Sequence, residues 1–256
     1  MKHKKTASDA DSFDVFDIEN GVLLDCNPIY TTHTTLNGLK AALHCELLEL
    51  VIPEGVHTIA PKALYKLQNI ERIVLPEGLQ TIEEQAFAYC IGLCELVIPQ
   101  SVKRIGIYAF RGCKNLKRLE ILGCEEIATA AFSCCWHLRE ICLPNNLKTI
   151  GQAAFYDCRR LENIALPPQV TEIGASAFAS CQRLKAISLP ESLRSIGGGA
   201  FRYCPALSSV EFPDGLERVE IDVSYGHETI DPAIRPLYEQ RPEIFCKGKE
   251  RYSLYW

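Results

Sequence analysis

From Leu47 to Val219 the apolar positions recur in blocks of 23 residues. Pro53, Pro76 and Pro99 mark one slot of the block, Leu122 takes the same slot, and Pro144, Pro167, Pro190 and Pro213 continue it, with one interval shortened to 22. One, three and six places before the slot every copy is apolar, as in Leu138, Ile141 and Leu143, or Leu184, Ile187 and Leu189. That alternation predicts a short strand with one face buried. Proline cannot donate to a sheet ladder, so the slot marks the strand's exit into a turn. Six residues past the slot, five in the shortened copy, comes Ile59, Ile82, Ile105, Ile127, Ile150, Ile173, Ile196 or Val219. A second apolar site therefore sits on each return path.

A third column pairs a small residue with a large one: Ala86-Phe87, Ala109-Phe110, Ala131-Phe132, Ala154-Phe155, Ala177-Phe178 and Ala200-Phe201. Three residues beyond each Phe stands Cys90, Cys113, Cys135, Cys158, Cys181 or Cys204. Alternating small and large side chains fill an interior without voids. One block cannot bury its own apolar set, so eight must stack, with the strands parallel and about 4.8 Å apart in a sheet about 34 Å long. Glycines at 106, 151, 174 and 197 precede the Ala-Phe turn and predict a tight backbone conformation there. The shortened copy, with Gly123 and Cys124, is expected to be a local irregularity.

The pattern Leu-x-x-Ile-x-Leu-Pro-x-x-Leu-x-x-Ile-Gly-x-x-Ala-Phe-x-x-Cys, clearest in Leu138 to Cys158 and Leu184 to Cys204, resembles the BspA-like leucine-rich repeat. The resemblance implies an α/β leucine-rich repeat solenoid: a right-handed curved coil, a parallel β-sheet on its concave face, and short β and helical turns on the return path. It also implies adhesion or protein-binding modules of the kind found on bacterial and protist surfaces. The expected organisation is a mobile segment at residues 1–12, an amino-terminal cap at 13–46, eight coils over 47–220 and a carboxyl-terminal cap at 221–256. Within the first cap, Phe13 to Leu23 around Asn20-Gly21 reads as a hairpin, and Leu36 to Leu50 as a short helix. Within the second, Tyr225, Tyr238, Phe245, Tyr252, Tyr255 and Trp256 concentrate aromatic rings.

Composition narrows the function. A hydrophobic fraction of 47% describes a core-forming chain, no apolar run reaches membrane-spanning length, and a net charge of −5 removes a general pull toward nucleic acid. The 13 cysteines are an odd number, in a chain too long to need disulfide staples. Met1 to Lys5 is basic, but Thr6 to Asp14 offers no apolar segment of the kind an export signal needs. The expected home is the reducing cytoplasm, or the cell surface if a leader has been removed.

Candidate chemistry is sparse. Stacked cysteines hold their Cβ vectors parallel, which disfavours bridges along the column, and buried free cysteine behaves as a small hydrophobe. Cys90 with Cys94, or Cys134 and Cys135 with His137, have ligand-like spacing but no second matching pair, so no metal site is expected. Cys142 faces outward without a histidine beside it, and no phosphate or dinucleotide loop occurs, so neither catalysis nor a cofactor is expected.

The outward strand positions, which the repeat does not dictate, are more informative. Two before the slot the column begins Val51, Val74, Val97, Glu120, Cys142; four before it begins Glu49, Arg72, Glu95, Arg118, Glu140. Val51, Val74, Val97, Arg72, Arg118, Glu120 and Glu140 are therefore the candidate partner-binding residues of a noncatalytic protein-binding scaffold. The alternative is a cell-surface adhesion or carbohydrate-binding module, which needs exposed aromatic platforms that these columns lack. A basic ridge of Lys114, Lys117, Arg118, Arg139, Arg159, Arg160, Arg183 and Lys185, with Trp136 between Lys114 and Arg159, borders the strand entry. Interleaved Glu120, Glu140 and Glu162 make it a solvated face, or a site for a flat acidic protein or glycan; it lacks a nucleic-acid motif.

Overall fold

The structure, a computed structural model, describes residues 16–26, 49–68, 70–222 and 230–247. It is a parallel-sheet β-solenoid of about eight turns with little helix. The signature strands Glu49–Val51, Arg72–Val74, Glu95–Ile98, Arg118–Ile121 and Glu140–Cys142 form one five-stranded sheet; Asn163–Ala165 and Ala186–Ser188 form a separate pair. The return strands Thr58–Ile59, Thr81–Ile82, Arg104–Ile105, Glu126–Ile127, Thr149–Ile150, Glu172–Ile173, Ser195–Ile196 and Arg218–Ile221 lie in a single eleven-stranded sheet. The expectation of one unbroken eight-stranded signature sheet is thus corrected: it is the return path that runs without a break. The eighth copy, Leu207 to Phe212, forms no strand.

The shortened copy is a local irregularity. Both ladders cross it, with Ile98 opposite Ile121 in front and Glu126 opposite Thr149 behind. Leu122, unlike proline, has an N–H, and donates it to the Ile98 carbonyl at 3.0 Å. The gap in the signature face falls one coil later, between Glu140–Cys142 and Asn163–Ala165. Losing one residue shortens that coil's perimeter, and the mismatch emerges where Ile141 and Leu143 are only half-buried.

The third side of the coil is the Ala-Phe turn, and its N–H groups alternate between two destinations. Those of Ala86, Ala88 and Cys90 fold back to Glu83, Gln85 and Phe87; those of Gln85, Phe87 and Tyr89 donate to Ile107, Ala109 and Arg111 of the next coil at 3.0, 2.8 and 2.7 Å. Aiming alternate groups sideways requires left-handed backbone twice per coil, at φ 56° and 62° for Gln85 and Tyr89, and 54° and 59° for Ala153 and Asp157. Such a conformation costs a non-glycine residue about 1–2 kcal/mol. The inter-coil hydrogen bonds offset it.

Inside, the phenylalanines form a continuous stack. Phe87, Phe110, Phe132, Phe155 and Phe178 have no exposed surface, and successive ring centroids lie 4.9, 5.2, 5.6 and 5.5 Å apart, with Phe201 6.1 Å beyond. Neighbouring planes differ by no more than 10°. The cysteines add a ladder of their own. Cys113 Sγ donates to the Phe87 carbonyl at 3.3 Å, Cys181 to Phe155 at 3.3 Å and Cys204 to Phe178 at 3.1 Å, so each thiol ties its coil to the one before. At the glycine column the physical reason differs from the one expected. Gly197 does not adopt a left-handed conformation, but a Cβ there would lie 2.3 Å from Ala175 N, so the residue is required by close approach between coils.

At the amino-terminal end, strands Phe16–Glu19 and Val22–Cys26 form the expected hairpin, and the second pairs in parallel with Thr58–Ile59. His57 clasps it: its backbone N–H donates to the Gly21 carbonyl at 2.8 Å, and its Nε2 to the Asn20 carbonyl at 2.9 Å. The expected helix over 36–50 falls mainly outside the described residues, and its last two positions, Glu49 and Leu50, are strand. Residues 1–12 also lie outside them.

At the carboxyl-terminal end, the helix Arg235–Gln240 and a single 3-10 turn lead to Phe245–Lys247, which pairs with Arg218–Ile221. Tyr238 and Phe245 meet edge to face at 4.9 Å; Tyr225, Tyr252, Tyr255 and Trp256 lie outside the described residues. Among the described residues no further coil continues the turn ladder here, and a carboxylate stands in for one. Phe201 N–H, whose equivalents all donate to a following alanine carbonyl, donates to Asp231 Oδ2 at 3.2 Å.

Two outcomes follow from this packing. Phe155→Ala removes a ring from the middle of the stack and is expected to destabilise by about 3–5 kcal/mol, read as a shift in urea midpoint. The second concerns Asp231, only 4% exposed, whose carboxyl burial pushes up from 3.8 to about 6 despite the Phe201 N–H, with Asp222 adding to the rise and Arg202 opposing it. Folding therefore strengthens proton binding at Asp231, so its contribution favours the native state at low pH and is lost as pH rises through about 6, on the order of 3 kcal/mol in all. Asp231→Asn should remove that part of the difference between denaturation midpoints at pH 4 and pH 7.5.

Candidate interaction surface

The register of the signature strands brings the seven predicted residues onto one face. Glu49 lies opposite Arg72 and Val51 opposite Val74; Arg72 is opposite Glu95; Glu95 is opposite Arg118 and Val97 opposite Glu120; Arg118 is opposite Glu140. Each strand alternates, so Leu50, Ile73, Leu96 and Leu119 point inward while the valines and charges point out. Val51 is 57% exposed, Val74 37% and Val97 50%, three apolar side chains in a row on solvent-facing strands. Beside them Arg72 Nε approaches Glu49 at 3.8 Å and Arg118 Nη1 approaches Glu140 at 3.9 Å. These exposed pairs contribute about 0–1 kcal/mol each, enough to orient side chains and little more. Glu120 is half-buried, and Cys142 lies opposite it. Ala165, the next residue of that column, belongs to the separate strand pair.

On the flank that leads into these strands, Trp136 is held as its position between two cations predicts. Lys114 Nζ lies 4.2 Å and Arg159 Cζ 4.3 Å from its ring centroid, one from each flanking coil. The organising residue of this cluster is Asp157, which the repeat does not announce. Its carboxylate accepts the Trp136 indole N–H at 2.8 Å and two Arg159 hydrogen bonds at 2.9 and 3.0 Å. That bond holds the Arg159 pKa above its ordinary value. The available signal was Asp157's place in a left-handed slot that other coils fill with Lys, Tyr, Gly, Cys or Ser, since aspartate tolerates that conformation. Further along, Glu162 accepts Lys185 at 2.7 Å, which draws its carboxyl below the usual range.

The thiols are held as packing groups. Burial raises the pKa of Cys113, Cys135, Cys158 and Cys181 well above the ordinary thiol value and pushes Cys204 and Cys124 up to about 12. The repeat cysteines are free thiols, and Cys142 is exposed. Cys94 is half-buried with its Sγ 3.3 Å from the Gly92 carbonyl. Among the described residues no three His, Cys, Asp or Glu side chains gather where a metal ion could be held, and no helix is long and apolar enough to cross a membrane.

This geometry agrees with comparison to known proteins. The BspA type leucine-rich repeat region, in six copies, matches residues 39–128 and 122–230. The chain belongs to this family. Among solved structures, a leucine-rich repeat protein from Bacteroides ovatus is 26% identical with a TM-score of 0.57, over 68% of this chain and 45% of that one. The leucine-rich repeat protein of T. pallidum is 27% identical with a TM-score of 0.57, over 82% of this chain and 87% of its own. The chain thus spans less than half the length of the B. ovatus protein. Comparison with curated proteins finds no match. Membership of the BspA-type family makes this chain a repeat scaffold.

Thiol accessibility tests the arrangement. In native protein treated with iodoacetamide at pH 8, Cys142 should alkylate first, Cys94 more slowly, and the six repeat cysteines only after unfolding, as followed by peptide mass spectrometry. Rapid native labelling of Cys158 would contradict the packing described.

Proposed function

We propose that the signature face is the docking surface of a noncatalytic protein-binding scaffold, with Val51, Val74 and Val97 at its centre and Arg72, Arg118, Glu120 and Glu140 around them. The observation that carries this reading is the exposure of three valines in one row, each more than a third open to solvent. An apolar strip rimmed by charge suits a protein surface that presents aliphatic or aromatic side chains between complementary charges. The carbohydrate alternative calls for free aromatic faces, and this face has none; the nearby Trp136 has a cation over its ring from each flanking coil.

A pull-down from source cells with wild type and Val74→Glu, alongside a glycan array, tests the reading. A protein retained by wild type and lost from Val74→Glu, with the melting temperature unchanged, is the expected result. Retention by both variants would remove the valine row, and glycan binding without a protein partner would favour the adhesion alternative.

A further inference from the structure

We propose that the basic flank beside the signature face is a second docking surface, shaped for a short acidic polypeptide segment laid along the solenoid axis. In residues 112–118, 134–140, 157–163 and 180–186 there are eight lysines and arginines and three carboxylates, Glu140, Asp157 and Glu162, in a chain whose net charge is −5. All three carboxylates are already engaged, Glu140 by Arg118, Asp157 by Arg159 and Trp136, Glu162 by Lys185 and Arg183. Lys117 and Arg139, on adjacent coils, are exposed and have no ion pair among the described residues. Like charges gathered this way repel one another, and the field they set up attracts an anionic partner.

The aromatic chemistry of the flank selects among anionic partners. Single-stranded nucleic acid bound without sequence preference gains affinity from ring faces on which the bases stack. Trp136 offers none: Lys114 and Arg159 cover the ring and Asp157 takes its N–H. A carboxylate-bearing polypeptide needs only the guanidinium and ammonium groups. The column runs Lys117, Arg139, Glu162, Lys185 over three coil spacings, about 14 Å, with Glu162 drawn onto Lys185 and Arg183; its cations span four or five residues of extended chain at about 3.3 Å each.

The test uses the full chain with Trp256→Phe, which leaves Trp136 as the remaining tryptophan. Hexaglutamate is titrated at low ionic strength, with decauridylate RNA and a heparin hexasaccharide as competing probes. Hexaglutamate should change Trp136 emission, and its affinity should fall at least tenfold in Lys117→Glu and Arg139→Glu, with melting temperatures unchanged. Should either charge reversal lower the melting temperature, Arg139→Gln supplies the same comparison with a smaller expected loss. Val74→Glu should bind hexaglutamate normally, so the valine row and this flank stand or fall separately. Unchanged emission, affinity insensitive to charge reversal, or tighter binding of the RNA or heparin probe would overturn the proposal.

Discussion

Backbone groups on three sides of each coil must meet those of its neighbour at the same spacing, about 4.8 Å, and this shared pitch governs the molecule. Six phenylalanine rings stack because that pitch brings equivalent side chains of successive coils face to face, 4.9 to 6.1 Å apart. Glycine stands at 197 because a single Cβ would collide with the previous coil's backbone. Left-handed residues recur because only they turn alternate N–H groups toward the next coil. When one coil loses a residue, return path and turn stay bonded, and the misfit is displaced to the signature face.

The same constraint separates structure from recognition. Interior columns are nearly invariant along the chain because any change of volume is felt by two neighbours at once. Outward columns carry no such burden, and there the sequence varies from valine to charge to alanine and serine. The proposed docking roles of the valine row and the basic flank rest on that freedom. The valines belong to the first three signature strands and the basic flank leads into the fourth to seventh, so the two proposed surfaces occupy successive stretches of the solenoid.

Much of this was legible in the residues. Period 23 located the seven signature strands, since inward and outward positions follow directly from alternation, and wrongly placed an eighth. The placement of Trp136 between Lys114 and Arg159 followed from column arithmetic. What escaped notice depends on distance rather than pattern. The gap after Cys142 arises from accumulated misfit along a perimeter, and the Asp157 cluster from a carboxylate whose slot varies freely between coils. The role of Asp231 lies 30 residues from the N–H it accepts, outside the repeat altogether.

The turn ladder also has an electrical consequence. In coil after coil its sideways N–H groups point toward the carboxyl-terminal end, so their peptide dipoles add instead of cancelling as they largely do within a sheet. The turn side of the solenoid behaves like one long helix lying along the stack, built from many short pieces, with its positive pole at the last coil. Asp222 and Asp231, two buried carboxylates, sit at that pole, while Lys62 and Lys66 occupy the first coil's turn at the other. The ends of the array are thus told apart by charge as well as by shape.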